Sequence, residues 1–261
     1  ANRIVINTYR DICEKSSKNT KNGKAKDLRL RIEHFQIVNV SDISRINIPT
    51  QRNIQTAKEG SCIFVSMQPA HATSDMEYAE KRLGKARTKG AYAWHSILKE
   101  GAKGIAFGSD WPTVGKVPPL LGIYAGITRK DLKGNPKGGW QPQECISRQQ
   151  VLRGYTYDAA FAAFRENHYG RLKENMFADF VVLDRDIVDA KQVPDSDIWK
   201  AQILGTFVGG KQVWKHPCWG KPYLATSKKD RGDDCPTRAE FIENTRALFT
   251  TPNVGMHGCP H

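Results

Sequence analysis

Five side chains in the first 110 residues are of kinds that handle metals or protons: His34 in RIEHFQIV, Gln68, His71 and Asp75 in SMQPAHATSD, and Asp110 in FGSDWP. Imidazole nitrogen and carboxylate oxygen are the donors of hydrolytic zinc sites, and a carboxylate beside such an ion can also carry a proton. Each residue has a plainer reading as well. A histidine at a strand end often only packs, Gln68 and His71 can serve a loop's own hydrogen bonds, and Asp110 can cap a helix with Pro112 in its first turn. His34 and Asp110 gain weight together, because ligands at the same ends of parallel strands can converge on one point. Two protein ligands still fall short of the three, plus water, of a usual catalytic zinc. At the C-terminus HGCPH gathers His257, Cys259 and His261, but no CxxC pair accompanies them. The chain lacks GxSxG, Walker and GxGxxG signatures, so nucleophile-elbow and nucleotide chemistries have no support.

The flanking sequence says what must position these residues. LRLRIEHFQIV, SCIFVSMQPAH and GIAFGSDWP each read as a short apolar strand that ends in polar residues. A helix is expected over Ser41 to Ala57, a polar loop after the second strand, and a helix in GAYAWHSILKEG that stops at Gly101. Strand, polar tip and helix thus recur three times, with tips at His34, Gln68 and Asp110. This alternation predicts a parallel sheet covered on both faces, with its chemistry at the strands' C-terminal ends. The opening ANRIVINTYRDICEK reads as an amphipathic helix with Ile4, Val5, Tyr9 and Ile12 on one side. Farther on, Ser147 is an expected N-cap, Asp179 to Leu183 a strand, and ILGTFVGGKQVW a hairpin turning at Gly209-Gly210. Residues 217–261 read as an irregular tail with one short helix in RAEFIENTRALF.

Composition narrows the function classes. The chain of 261 residues, 39% hydrophobic and 26% charged, has no run apolar enough to cross a bilayer as a helix. Its net charge of +13 invites a nucleic-acid reading, but the densest basic stretch, KSSKNTKNGKAKDLRLR, carries no aromatic residue for base stacking. A solvated surface loop explains it better. Six cysteines without a CxxC pair leave the compartment open, with a lean to the cytoplasm, and allow one disulfide in the tail.

The segments RIEHFQIV, SMQPAHATSD, AYAWHSIL, FGSDWPTV, PLLGIYAGITR and GRLKENMFADFVVLDRD together resemble the YtcJ-like metal-dependent amidohydrolases, in order and with family-like spacing from Ala1 to about Val213. The resemblance implies a (β/α)8 barrel joined to a small β-sandwich, and hydrolysis of amide- or formamide-type C–N bonds. By it, His34 matches the metal-binding histidine after barrel strand six. Asp110 matches the strand-eight aspartate, which takes a proton from the attacking water and often touches the metal. The family's HxH pair, its strand-four ligand and its strand-five histidine have no counterpart here.

The expectation is therefore an α/β chain: the C-terminal part of a TIM-type barrel over 1–175, β-sandwich strands over 176–216 and a tail over 217–261. The expected function is metal-dependent hydrolysis of non-peptide C–N bonds, with Asp110 catalytic and His34 and Asp110 on a divalent metal, Zn²⁺ fitting best. Gln68, His71 and Trp111 are expected to meet a small amide-type substrate. With two ligands the site is incomplete, so weak metal binding and little turnover are expected. The missing half would lie in upstream sequence or an oligomer partner. The alternative is a catalytically silent fragment or pseudoenzyme that acts through protein interaction; no nucleic-acid or membrane partner is expected.

Overall fold

In the computed structural model, which describes residues 1–18, 27–47, 62–113, 118–217 and 219, the three tip-bearing strands lie side by side. They are β1 (Leu30–Glu33), β2 (Ile63–Met67) and β3 (Ile105–Phe107), paired in parallel in the order β1-β2-β3. Leu30 aligns with Ile63 and Glu33 with Ser66, while Val65 aligns with Ile105 and Met67 with Phe107. Four of the five residues of β2 are buried, as expected of a strand covered on both faces.

Nine short helices cover the sheet and its connections among the described residues: α1 (Asn2–Lys18), α2 (Val40–Ile43), α3 (Pro69–Asp75), α4 (Ala79–Leu83), α5 (Lys85–Thr88), α6 (Trp94–Lys99), α7 (Pro119–Thr128), α8 (Arg148–Arg153) and α9 (Ala159–Ala162). A second sheet is antiparallel, with β4 (Phe180–Leu183), β5 (Ile203–Val208) and β6 (Lys211–Lys215) in that order. The β5–β6 hairpin turns through Gly209 and Gly210, both at positive φ, as the Gly-Gly pair requires. The chain is thus α/β with a parallel sheet and a separate antiparallel one. Among the described residues no helix is long and apolar enough to cross a membrane.

Several expectations need correction. The buried face of α1 runs through Ile6 and Cys13, with Val5 and Tyr9 packed beside it, whereas Ile4 and Ile12 face solvent. Of the helix expected over Ser41 to Ala57, the described part passes from α2 into a 3₁₀ turn over Ser44–Ile46 and leaves the helical region at Asn47, with ψ 89°; residues 48–57 lie outside the described residues. What was expected as a polar loop after β2 is helix α3, for which Pro69 at the first helical position supplies a prearranged φ. Ser147 does cap α8, in a reciprocal box with Gln150. That helix, however, widens into a π-turn over Gly154–Asp158 before α9. Gly154 presses against β3 there, and a Cβ on it would come within 2.2 Å of the Phe107 ring.

Cys13 and Cys62 form a disulfide that joins α1 to the start of β2. No motif in the sequence marks this pair. The proposed tail helix, the tail cysteines and the HGCPH cluster lie outside the described residues.

Candidate functional site

Each strand delivers one part of the site just past its C-terminal end. After β1 the backbone enters the left-handed region at two successive non-glycine residues, His34 (φ 67°) and Phe35 (φ 42°). Such a conformation costs roughly 1–2 kcal/mol per residue. Phe35, 2% exposed, is locked into the core and holds the turn, which leaves His34 at the surface. After β2, Gln68 precedes α3, and His71 follows in its first turn. After β3, Gly108 N–H extends the pairing to Met67 O at 3.2 Å, and Asp110 then sits at φ 61°.

These three tips converge. His34, His71 and Asp110 each offer a ligand atom, and all three atoms lie within 4.8 Å of one another. The two imidazoles stack with centroids 6.1 Å apart and planes inclined by 18°. Nδ1 of His34 is 2.9 Å from Oε1 of Gln68. His71 is only 9% exposed, and its Nε2 is buried without a hydrogen-bond partner among the described residues. Burial lowers the pKa of this imidazole, against the pull of the Asp110 and Asp75 carboxylates. The ring is thereby biased toward its neutral form, the one that can ligate a metal.

The capping alternative for Asp110 is not what the backbone shows. Trp111 to Thr113 form a turn closed by Thr113 N–H to Asp110 O at 2.9 Å, and Trp111 N–H reaches Ser109 Oγ at 3.3 Å. The carboxylate is half-buried and lies with the two histidines. Trp111 stands next to it, 65% exposed. Of the expected site residues, His34, Gln68, His71 and Asp110 are thus brought together, while Trp111 is exposed and joins the cluster only as the sequence neighbour of Asp110.

One supporting network was not anticipated. Asp75, one helical turn after His71 on α3, accepts Tyr92 Oη at 2.6 Å and Tyr78 Oη at 2.5 Å. Gln36, two residues past His34, donates its amide to Tyr92 Oη at 2.9 Å. The Asp75 hydrogen bond pushes the Tyr78 phenol up to about 12, and burial drives the fully enclosed Tyr92 phenol up further. Both hydroxyls remain protonated donors, so α3 is fixed at its far end as well. The i, i+4 spacing of His71 and Asp75 was the available signal, and it becomes legible only once PAHATSD is known to be helical.

The chain is similar to several known proteins. A profile described as the amidohydrolase family matches residues 6–214. Protein LONG AFTER FAR-RED 3 of Arabidopsis thaliana is 33% identical over 217 residues, covering 82% of this chain and 32% of that protein. The putative amidohydrolase YtcJ of Bacillus subtilis is 33% identical over 56% of this chain and 28% of its own length. An N-substituted formamide deformylase of Arthrobacter pascens is 30% identical over 44% of this chain and 20% of its own. The chain spans less than a third of the length of each of these relatives. Among solved structures, an uncharacterised metal-dependent hydrolase from Pyrococcus furiosus superposes with a TM-score of 0.46 at 27% identity, over 61% of this chain and 29% of that one.

Proposed function

Because the chain belongs to the amidohydrolase family, on a match that spans residues 6–214, we propose that it forms part of the site of a metal-dependent hydrolase acting on non-peptide C–N bonds of amide or formamide type. The formamide deformylase among its relatives supports that bond class. The observation that carries the reading is the convergence of His34, His71 and Asp110 within 4.8 Å.

The donor set fits a divalent metal. Two imidazole nitrogens and one carboxylate oxygen match the three protein ligands of a catalytic zinc, and the buried Nε2 of His71 has no hydrogen-bond partner among the described residues. His34, His71 and Asp110 would hold the ion, which when bound polarises a carbonyl and makes water acidic enough to attack at neutral pH. His71 thus passes from an expected substrate contact to a third donor. Asp110 accepts the proton of the attacking water as the C–O bond forms. It then passes that proton to the nitrogen as the C–N bond breaks, base first and acid second. Trp111 offers an exposed aromatic face to a small substrate.

In this proposal the parallel sheet belongs to the C-terminal part of a (β/α)8 barrel, over 1–175, the antiparallel sheet to strands of a small sandwich over 176–216, and residues 217–261 to a tail. The test is turnover of a panel of N-acyl amines and N-substituted formamides with and without added Zn²⁺. Turnover should depend on the metal and fall at least about 100-fold in Asp110→Asn. Metal-independent turnover, or turnover unaffected by Asp110→Asn, would contradict the proposal.

A further inference from the structure

Both histidines of the cluster are held by one residue, Gln68. It stands between β2 and α3 in extended backbone, at φ −122° and ψ 100°. Its main-chain carbonyl accepts the main-chain N–H of His71 at 3.0 Å, which fixes the first turn of α3. Its side-chain Oε1 lies 2.9 Å from Nδ1 of His34. The sheet register makes this reach possible: Glu33 aligns with Ser66, so the residues that follow β1 and β2 emerge next to each other. Gln68 is 5% exposed, so solvent has little access to compete for the contact.

The chemistry of that contact is directional. An amide oxygen only accepts, so the proton of a neutral His34 ring belongs on Nδ1, and Nε2 keeps its lone pair. A solvated histidine side chain prefers the opposite tautomer, with the proton on Nε2 and no lone pair there to give. We infer that Gln68 is a positioning residue of the site: its side-chain carbonyl holds His34 in the Nδ1–H form and makes Nε2 the nitrogen offered to a metal. The metal half of this inference rests on the proposed function; the tautomer half does not. With Oε1 committed to His34, Gln68 keeps only its amide NH₂ for a substrate, which shifts its main role from binding to orientation.

The test uses the ¹⁵N-labelled chain, freed of metal with a chelator and held at alkaline pH. Long-range ¹H–¹⁵N correlation reads the His34 tautomer, assigned by the signals lost in His34→Ala. The expected spectrum has a pyrrole-like Nδ1 and a pyridine-like Nε2 in the wild type and in Gln68→Glu, which keeps an acceptor oxygen. Gln68→Leu should shift the ring toward the Nε2–H form. Zn²⁺ titration should show affinity reduced about 10- to 100-fold in Gln68→Leu and largely kept in Gln68→Glu. A wild-type ring with its proton on Nε2 overturns the inference whether or not the leucine variant folds. Equal Zn²⁺ affinity in wild type and Gln68→Leu removes the positioning role and leaves the metal reading. Absence of Zn²⁺ binding beside the expected tautomer pattern removes the metal reading and leaves the positioning role.

Discussion

The two ends of the β1-β2-β3 sheet use the same kinds of residue to opposite effect. At the C-terminal end, His34 and Asp110 sit at positive φ, His71 Nε2 is buried without a partner among the described residues, and the carboxylate is half-open to solvent. At the N-terminal end the polar groups are closed upon one another. Arg29, just before β1, is bound by both oxygens of Glu166 at 2.6 and 2.8 Å and sandwiched between Phe161 and Phe164 at 3.6 and 4.4 Å. Asp158 accepts Arg153 Nε at 2.9 Å and Ile105 N–H at 3.3 Å. Cys62, just before β2, is tied to Cys13. Arg29 itself sits at positive φ (41°), so backbone strain occurs at both ends; unmet bonding capacity at the tips, against pairing of these groups at the base, separates a place built to receive a ligand from a place built to hold the sheet.

That contrast can be broken from the base upward. Reduction of Cys13–Cys62, or its double replacement by alanine, opens a link across 49 residues of sequence and should cost about 2–4 kcal/mol of stability in a denaturant titration. Metal affinity at the tips should not change; a loss of affinity equal to that of a tip variant would erase the division. Arg29→Met should cost about 2–3 kcal/mol, because Glu166 loses its partner and two aromatic rings lose the guanidinium between them. Metal affinity should again stay as it was.

Asp158→Asn should act in the other direction. Burial raises the Asp158 carboxyl from 3.8 to about 6, outweighing Arg153 and the Ile105 N–H. The folded state therefore holds this proton more tightly than the unfolded one. The resulting stability is complete below pH 3.8 and is lost as pH rises through about 6. Above that range the asparagine variant should be the more stable by on the order of 2 kcal/mol, and near pH 4 the gap should close. A gap that does not depend on pH would show that the carboxyl titrates normally. The smallest change in stability is expected at the tips. His34→Gly removes the positive-φ strain while adding chain entropy, so it should remain within about 1 kcal/mol of the wild type.

Much of this was legible in the sequence, though unevenly. The three strands and their tips could be read because short apolar runs ended in polar residues at similar spacing, and parallel sheets put such ends together. The β5–β6 hairpin was written in Gly209-Gly210. Helix α3 was not read, because PAHATSD has no apolar periodicity and only Pro69 marks its start. As a result His71 looked like a loop residue when it stands one turn from Asp75 on a fixed helix. The Gln68–His34 contact depends on the register between β1 and β2, which no local pattern specifies. The Cys13–Cys62 link was hidden for the same reason, since six scattered cysteines allow many pairings.

The central claim is that the C-terminal tips bind a metal and the base of the sheet only supports them. Calorimetric titration of Zn²⁺ into the wild type, Asp110→Asn and Asp158→Asn tests it most directly, because the latter two lose one carboxylate each from opposite ends of the same sheet. The account predicts one ion per wild-type chain, affinity lower by at least about tenfold in Asp110→Asn, and no change in Asp158→Asn. Equal affinities in all three proteins would contradict it.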